Sequence, residues 1–284
     1  MLRWRLLLGT LLVAAIIGLG WLDARSAMPG VWLMPVALGI VVLSGQEALE
    51  LMVPSGARFP AWPVHLGNLV LVLGAWLPGL LRWPAGPHVE SALFLAVWLL
   101  FIVAVAQYGG PGGNTARLAA AVLAVAYVGW MLAFAVQLRM HWGVGALASL
   151  IVVVKMGDTG AYTVGRLIGR HKMAPKLSPG KTLEGAAGAL AFAALGSWAT
   201  FALIAAGRPA GSSSTVAWGW LPFGLLVGGA GIFGDLAESF LKRDAGVKDS
   251  SRWLPGFGGV LDIMDSILLA APVAWACWHF GLVR

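Results

Sequence analysis

Apolar runs of about 20 residues follow one another down the whole chain, separated by short polar breaks. A run of that length spans the hydrocarbon layer as a helix. The spacing predicts nine such helices, at roughly 5–22, 31–53, 64–81, 91–108, 117–138, 142–157, 184–206, 217–240 and 258–281. The sixth is the shortest. Glycine-rich 109–113 and the serines of 212–215 read as plain connecting loops.

Composition sharpens this picture. A mean hydropathy of +0.84 over 284 residues, with 59% hydrophobic and 11% charged residues, is that of a polytopic membrane protein and not of a soluble domain. The fold class expected is all-α, one membrane domain over 1–284. Its helices 1–141 are poor in motifs, and 142–284 carries the chemistry. Arg3 and Arg5 before an apolar run resemble a signal peptide, but the run is long and no soluble domain follows it, so it is read as the first span. One cysteine, Cys277, excludes an internal disulfide and a cysteine-rich metal site. The pI of about 10.1 does not point to nucleic acid, because the charge is sparse and local.

Lys and Arg set the expected orientation. With nine spans and the N-terminus in the cytoplasm, the inner segments hold Arg3, Arg5, Arg58 and Arg117. They also hold Arg166, Arg170, Lys172, Lys176 and Lys181, then Lys242, Arg243, Lys248 and Arg252. The outer segments hold Arg25, Arg82, Arg139 and Arg208 singly, with Arg284 at the tail. Both charge-dense stretches then face the cytoplasm, where nucleotides are.

The denser stretch is SFLKRDAGVKDSSRWLPGFGGVLDIMDS, Ser239 to Ser266. Asp235 and Glu238 are three residues apart at the end of the eighth span and share a helix face with Lys242. Asp262 and Asp265 repeat that spacing at the start of the ninth. Carboxylates below the membrane interface are costly and rarely face lipid. Two such pairs on consecutive helices suit Mg²⁺, a hard cation held by one or two carboxylates together with substrate phosphates. The loop between them offers Lys242, Arg243, Lys248 and Arg252 for phosphate oxygens, and Gly256, Gly258 and Gly259 for close backbone approach. Metal-binding acids beside phosphate-binding cations are the parts needed for displacement at phosphorus. The plainer reading is a positive-inside loop whose acids are paired internally.

The second stretch runs from Gly157 to Gly185, GDTGAYTVGRLIGRHKMAPKLSPGKTLEG. Gly180-Lys181-Thr182 resembles the end of a P-loop, but Pro175 stands where its first glycine belongs, so that motif is excluded. Ser178-Pro179 reads as the N-cap and first turn of the seventh helix, an anion site with Lys181 beside it. Glu184 reads as a metal ligand or as a partner for Lys181, the pairing being preferred, and His171 is expected to be a solvated interface residue.

Together these stretches resemble the phosphatidate cytidylyltransferases, or CDP-diacylglycerol synthases. Ser239, Lys242, Arg243, Lys248, Asp249, Pro255, Gly258, Gly259, Asp262 and Asp265 match that family's signature in spacing. Phe257 replaces its histidine and Ile263 its arginine, and Gly180 stands where a lysine is usual upstream. The likeness covers the chain from about position 150; the N-terminal half matches only in hydropathy.

The resemblance implies transfer of CMP from CTP to phosphatidic acid, giving CDP-diacylglycerol and pyrophosphate. It implies Mg²⁺ on Asp235 and Asp262, with Asp249 and Asp265 as further partners, and leaves room for a second, monovalent cation. Lys242, Arg243 and Lys248 would hold CTP phosphates, with Ser239, Gly258 and Gly259 completing the loop. Ser178, Lys181 and Thr182 would hold phosphate of lipid or nucleotide. The partners implied are both substrates and the bilayer of a plasma or inner membrane, with a homodimer allowed. Because the attacking phosphate is already anionic, no proton transfer at Phe257 or Ile263 is required. Two other readings stand beside it: a CTP-dependent polyprenol or phytol kinase, and a cation-coupled transporter using Asp158, Asp235 and Asp262.

Overall fold

A computed structural model describes residues 2–52, 59–207, 218–251 and 258–283, with the side chains of 2–8 excluded. Ten α-helices follow in order: α1 Leu2–Arg25, α2 Met34–Met52, α3 Ala61–Leu81, α4 His88–Ala106, α5 Asn114–Ala124, α6 Met131–Trp142, α7 Val144–Ile168, α8 Leu183–Ala206, α9 Trp220–Asp244 and α10 Val260–His279. A π-helical segment, Val125–Trp130, joins α5 to α6, so the predicted fifth span is one rod from Asn114 to Trp142. Two short antiparallel strands, β1 Lys172–Ala174 and β2 Ser178–Thr182, pair between α7 and α8.

Eight helices among the described residues are long and apolar enough to cross a membrane, and α1 coincides with the first predicted span. The chain is a polytopic helical membrane protein. The outward faces agree: Phe94, Leu95, Trp98, Phe101, Ile102 and Val105 of α4 are all exposed, an arrangement stable only against lipid. The sixth predicted span is not short: it is α7. It runs 25 residues and carries the Asp158-Thr159-Gly160 segment inside it. Lys155 and Asp158 break the apolar run in the sequence, but they pair at 2.9 Å one turn apart, so the helix continues through them.

The described residues form two compact units. Unit 1 is Met1–His141 with Leu241–Met264; unit 2 is Trp142–Phe240 with Asp265–Arg284. In unit 1, Asp23 is fully buried and bonded to the Arg139 guanidinium at 2.5 Å, while its carboxylate also accepts from the backbone of Gly30 and Trp32. Arg139, expected as an outer-side topology charge, is thereby committed to a buried pair. The π-helical turn falls where Asn68 of α3 presses on Gly129: a Cβ at 129 would run into the Asn68 backbone and amide. Widened turns of this kind are single-turn adjustments inside α-helices.

Unit 2 is packed by small residues. A Cβ at Gly160 of α7 would strike the carbonyl of Gly188 and the side chain of Phe192 on α8, and Gly188 in turn lies against Val164. Gly224 and Gly228 of α9 lie against Ala193 and its neighbours on α8, and Gly234 lies against the backbone of Asp265 and Ser266. Between membrane helices there is no hydrophobic gain from contact itself, so close backbone approach supplies the packing energy.

Gly160→Val should therefore destabilise the protein by about 1–3 kcal/mol, since the opposing atom is backbone and cannot rotate away. Gly229→Ala, with open space around its Cα, should not. Thermal unfolding in detergent checks this: equal melting of the two variants would contradict the packing account.

Candidate active site

The site residues of unit 2 hang on the hairpin and three helices. Ser178 and Pro179 do not start a helix. They lie in β2, with Ala174 opposite Ser178 and Lys172 opposite Thr182. The helix begins at Leu183, and its N-cap is Thr182, whose hydroxyl accepts from the Gly185 amide at 3.1 Å. The Ser-Pro pair mimics a helix start, but two residues of extended chain are needed for the hairpin, and an edge strand tolerates proline. Ser178 is half-buried, and Gly180 at the hairpin's edge is exposed.

This shift redirects two charges. Lys181, on β2, places Nζ 2.8 Å from Asp235 Oδ1, close enough for an ion pair although the angle is poor for a hydrogen bond. Glu184, expected as the partner of Lys181, turns instead to His171, at 2.6 Å, and accepts from the amides of Arg170 and His171. His171 stays exposed, yet it is not merely solvated: it belongs to the clamp that ties the end of α7 to the start of α8.

Asp265 is buried on α10, its Oδ1 accepting from the Ser266 amide, and it lies within electrostatic reach of Asp235, Asp158 and Lys155. Asp235 itself is about two-fifths exposed. Ser239 is buried on α9, as is Glu238.

Unit 1 holds the other cluster. Lys242, in the last turn of α9, donates to Asp262 Oδ1 at 2.6 Å. Asp262 Oδ2 accepts from the Gly259 amide at 2.7 Å, the Ser250 amide at 2.9 Å and the Ser250 hydroxyl at 2.7 Å. Oδ1 thus accepts from one donor and Oδ2 from three, which leaves a lone pair of Oδ1 open to a further ligand. Arg243 is exposed and donates to the carbonyl of Val247 at 2.8 Å, while Lys248 and Asp249 are exposed on the loop. Gly258 has φ +88°, a conformation that side-chain-bearing residues rarely adopt. Arg252, Pro255, Gly256 and Phe257 lie outside the described residues.

Sequence reasoning missed Glu47 and Ser250. Glu47 is buried in α2, in the half read as poor in motifs, and it binds Ser250, Val260 and Leu261. The signal was present: an acid deep in an apolar span is costly and seldom idle.

Comparison with known proteins bears on what these clusters do. A model of the cytidylyltransferase family matches residues 5–280. The phosphatidate cytidylyltransferase of Mycobacterium tuberculosis (strain H37Rv) is 31% identical over 278 residues, 93% of this chain and 80% of that one. That of Helicobacter pylori is 35% identical over 245 residues, 85% of this chain and 80% of its own. The chloroplastic phosphatidate cytidylyltransferase 5 of Arabidopsis thaliana is 29% identical over 293 residues, 92% of this chain and 69% of that protein.

The chain belongs to the cytidylyltransferase family. It is a nucleotidyltransferase, and the match extends through the N-terminal half that hydropathy alone had linked to the family. Such an enzyme must bring polyanions together, and this one carries Lys181 held on Asp235 and Lys242 held on Asp262. Among the described residues, no three His, Cys, Asp or Glu side chains form a ready metal cage. A magnesium ion would not need one, because it keeps water and substrate phosphates among its ligands. Asp235 and Asp265, two hard-oxygen donors in one unit with lysine beside them, fit that requirement.

Proposed function

We propose that this cytidylyltransferase transfers CMP from CTP to phosphatidate, releasing pyrophosphate and forming CDP-diacylglycerol at the cytoplasmic face of a plasma or inner membrane. The relatives named for that activity cover most of the chain. The structural observation that carries the reading is the pairing of Lys181 with Asp235, at 2.8 Å, and of Lys242 with Asp262, at 2.6 Å. A lysine held at a carboxylate is charged, oriented and still has donors to give. When phosphate arrives, it exchanges one anion for another without crossing an unpaired state.

An oxygen of the lipid phosphate attacks the α-phosphorus of CTP. The bond from that phosphorus to the bridging oxygen breaks, and pyrophosphate leaves with the electron pair. The nucleophile is already ionised, so no serine, cysteine or histidine base is called for. The protein's work is to bind, orient and neutralise. Lys242, with Arg243 and Lys248, holds nucleotide phosphates from the α9–α10 loop. Lys181 holds phosphate beside the hairpin, where Thr182 and Ser178 fix the strand that carries it. A magnesium ion bound at Asp235 and Asp265 would supply charge neutralisation of the phosphates. Asp262 keeps Lys242 in place until nucleotide engages it, and Asp249 lies near it on the loop.

Orientation is tested by single cysteines. Lys248→Cys should react with an impermeant maleimide only from the cytoplasmic side and Ser213→Cys only from the other, because the Lys and Arg bias requires it; Cys277 is buried and gives little background. Labelling of both from one side would overturn the orientation. The reaction is tested with purified protein, phosphatidate, Mg²⁺ and CTP labelled at either the α- or the γ-phosphorus. Cytidylyl transfer puts the α label in the lipid and the γ label in pyrophosphate. A γ label appearing in a lipid, with CDP released, would show a kinase instead.

A further inference from the structure

Glu47 lies on α2, some two hundred residues from the signature loop, and only 3% of it is exposed. Its Oε1 accepts from the Val260 amide at 3.1 Å, and its Oε2 accepts from the Leu261 amide at 2.8 Å and the Ser250 hydroxyl at 2.9 Å. Among the described residues, all its partners are neutral donors. Its negative charge therefore meets the positive end of α10, not a cation.

The position explains why. Helix α10 starts at Val260, so Gly259 is its N-cap and has no side chain with which to cap the first turn. Two carboxylates do that work. Asp262, the third residue of the helix, reaches back to the Gly259 amide, as the acid of a capping box does. Glu47 takes the next two amides from outside. Glycine is required at 259, because a Cβ there would fall onto Ser250 Oγ and the Glu47 carboxylate. Ser250 Oγ stands between the two acids, 2.9 Å from one and 2.7 Å from the other, and its single proton is shared between them. Asp262 in turn holds Lys242.

We propose that Glu47 is a positioning residue of the enzyme: it caps α10 from another helix and fixes Ser250 and Asp262, so that Lys242 is presented to the phosphates of the nucleotide. This rests on the reading of the α9–α10 loop as the nucleotide-phosphate site. Glu47 touches no substrate and acts through Asp262. Its loss frees the loop and weakens nucleotide binding, while leaving the lipid site alone.

Glu47→Gln keeps the shape but offers an amide nitrogen where at least one of three donors needs an acceptor. It should raise the KM for CTP tenfold or more, leave the KM for phosphatidate within twofold, and speed hydrogen exchange of the amides at 259–262. Gly259→Ala, which inserts a methyl between Ser250 and Glu47, should shift the CTP KM in the same direction without altering α2. Glu50→Gln, an exposed change one turn on, should do neither. The proposal is overturned if CTP KM and exchange both stay at wild-type values, or if the KM values of both substrates rise together with a fall in melting temperature. Should Glu47→Gln not fold, the Gly259→Ala result decides on the same terms. A wild-type protein with no CTP-dependent transfer would sink the reading of the loop and with it this role; exchange at 259–262 would then report on the cap alone.

Discussion

An ionised carboxylate inside an apolar bundle must be surrounded by donors, and the arrangement at Asp262 meets that demand with four: the Lys242 ammonium, the amides of Gly259 and Ser250, and the Ser250 hydroxyl. Much of unit 1 near the signature follows from it. The loop has to return close to the first turn of α10, so Gly258 takes a positive φ and Gly259 gives up its side chain. The first turn, left without a side-chain cap, recruits Glu47 from α2. A cluster that reads in the sequence as a local loop is thus tied to an N-terminal helix, which gives that half of the chain a part in the chemistry.

The charged groups of unit 2 are held differently. Lys181 sits on a strand whose α8 end is fixed by the His171–Glu184 clamp and the Thr182 hydroxyl, and whose Ser178 end pairs with Ala174. Behind it, α7, α8 and α9 approach through glycine and alanine. Such packing leaves little freedom for the helices to slide. The acids on α9 and α10 are then held by backbone contact, seen where Gly234 lies against Asp265 and Ser266. Rigid support of this kind suits a reaction whose catalysis is mostly orientation and charge neutralisation.

Much of this was legible in the sequence. The spans were, because a 20-residue apolar run has one structural solution in lipid. The family was, because its signature combines many charged and glycine positions at fixed spacing. The length of α7 was not, since Lys155 and Asp158 look like a boundary until their pairing is seen. The hairpin was hidden because Ser178-Pro179 carries the same local signal as a helix start, and only the pairing across to Lys172 and Ala174 decides against it. Glu47 was visible as an acid in an apolar span, but its partners lie some two hundred residues on, and periodicity says nothing about such distances. The choice of ion partners, Lys181 with Asp235 and His171 with Glu184, depends on that same tertiary context.

In the proposed mechanism a divalent cation would be held by Asp235 and Asp265, with Asp262 holding Lys242. The direct test is binding of Mn²⁺, a paramagnetic substitute for Mg²⁺, measured by electron paramagnetic resonance in the presence of CTP and without lipid. Asp235→Asn and Asp265→Asn should each weaken Mn²⁺ binding by at least about tenfold, because the amide removes the charge that holds a hard cation. Asp262→Asn should leave it within about twofold of wild type. Wild-type Mn²⁺ affinity in both Asp235→Asn and Asp265→Asn, or loss of the ion in Asp262→Asn alone, would contradict the assignment.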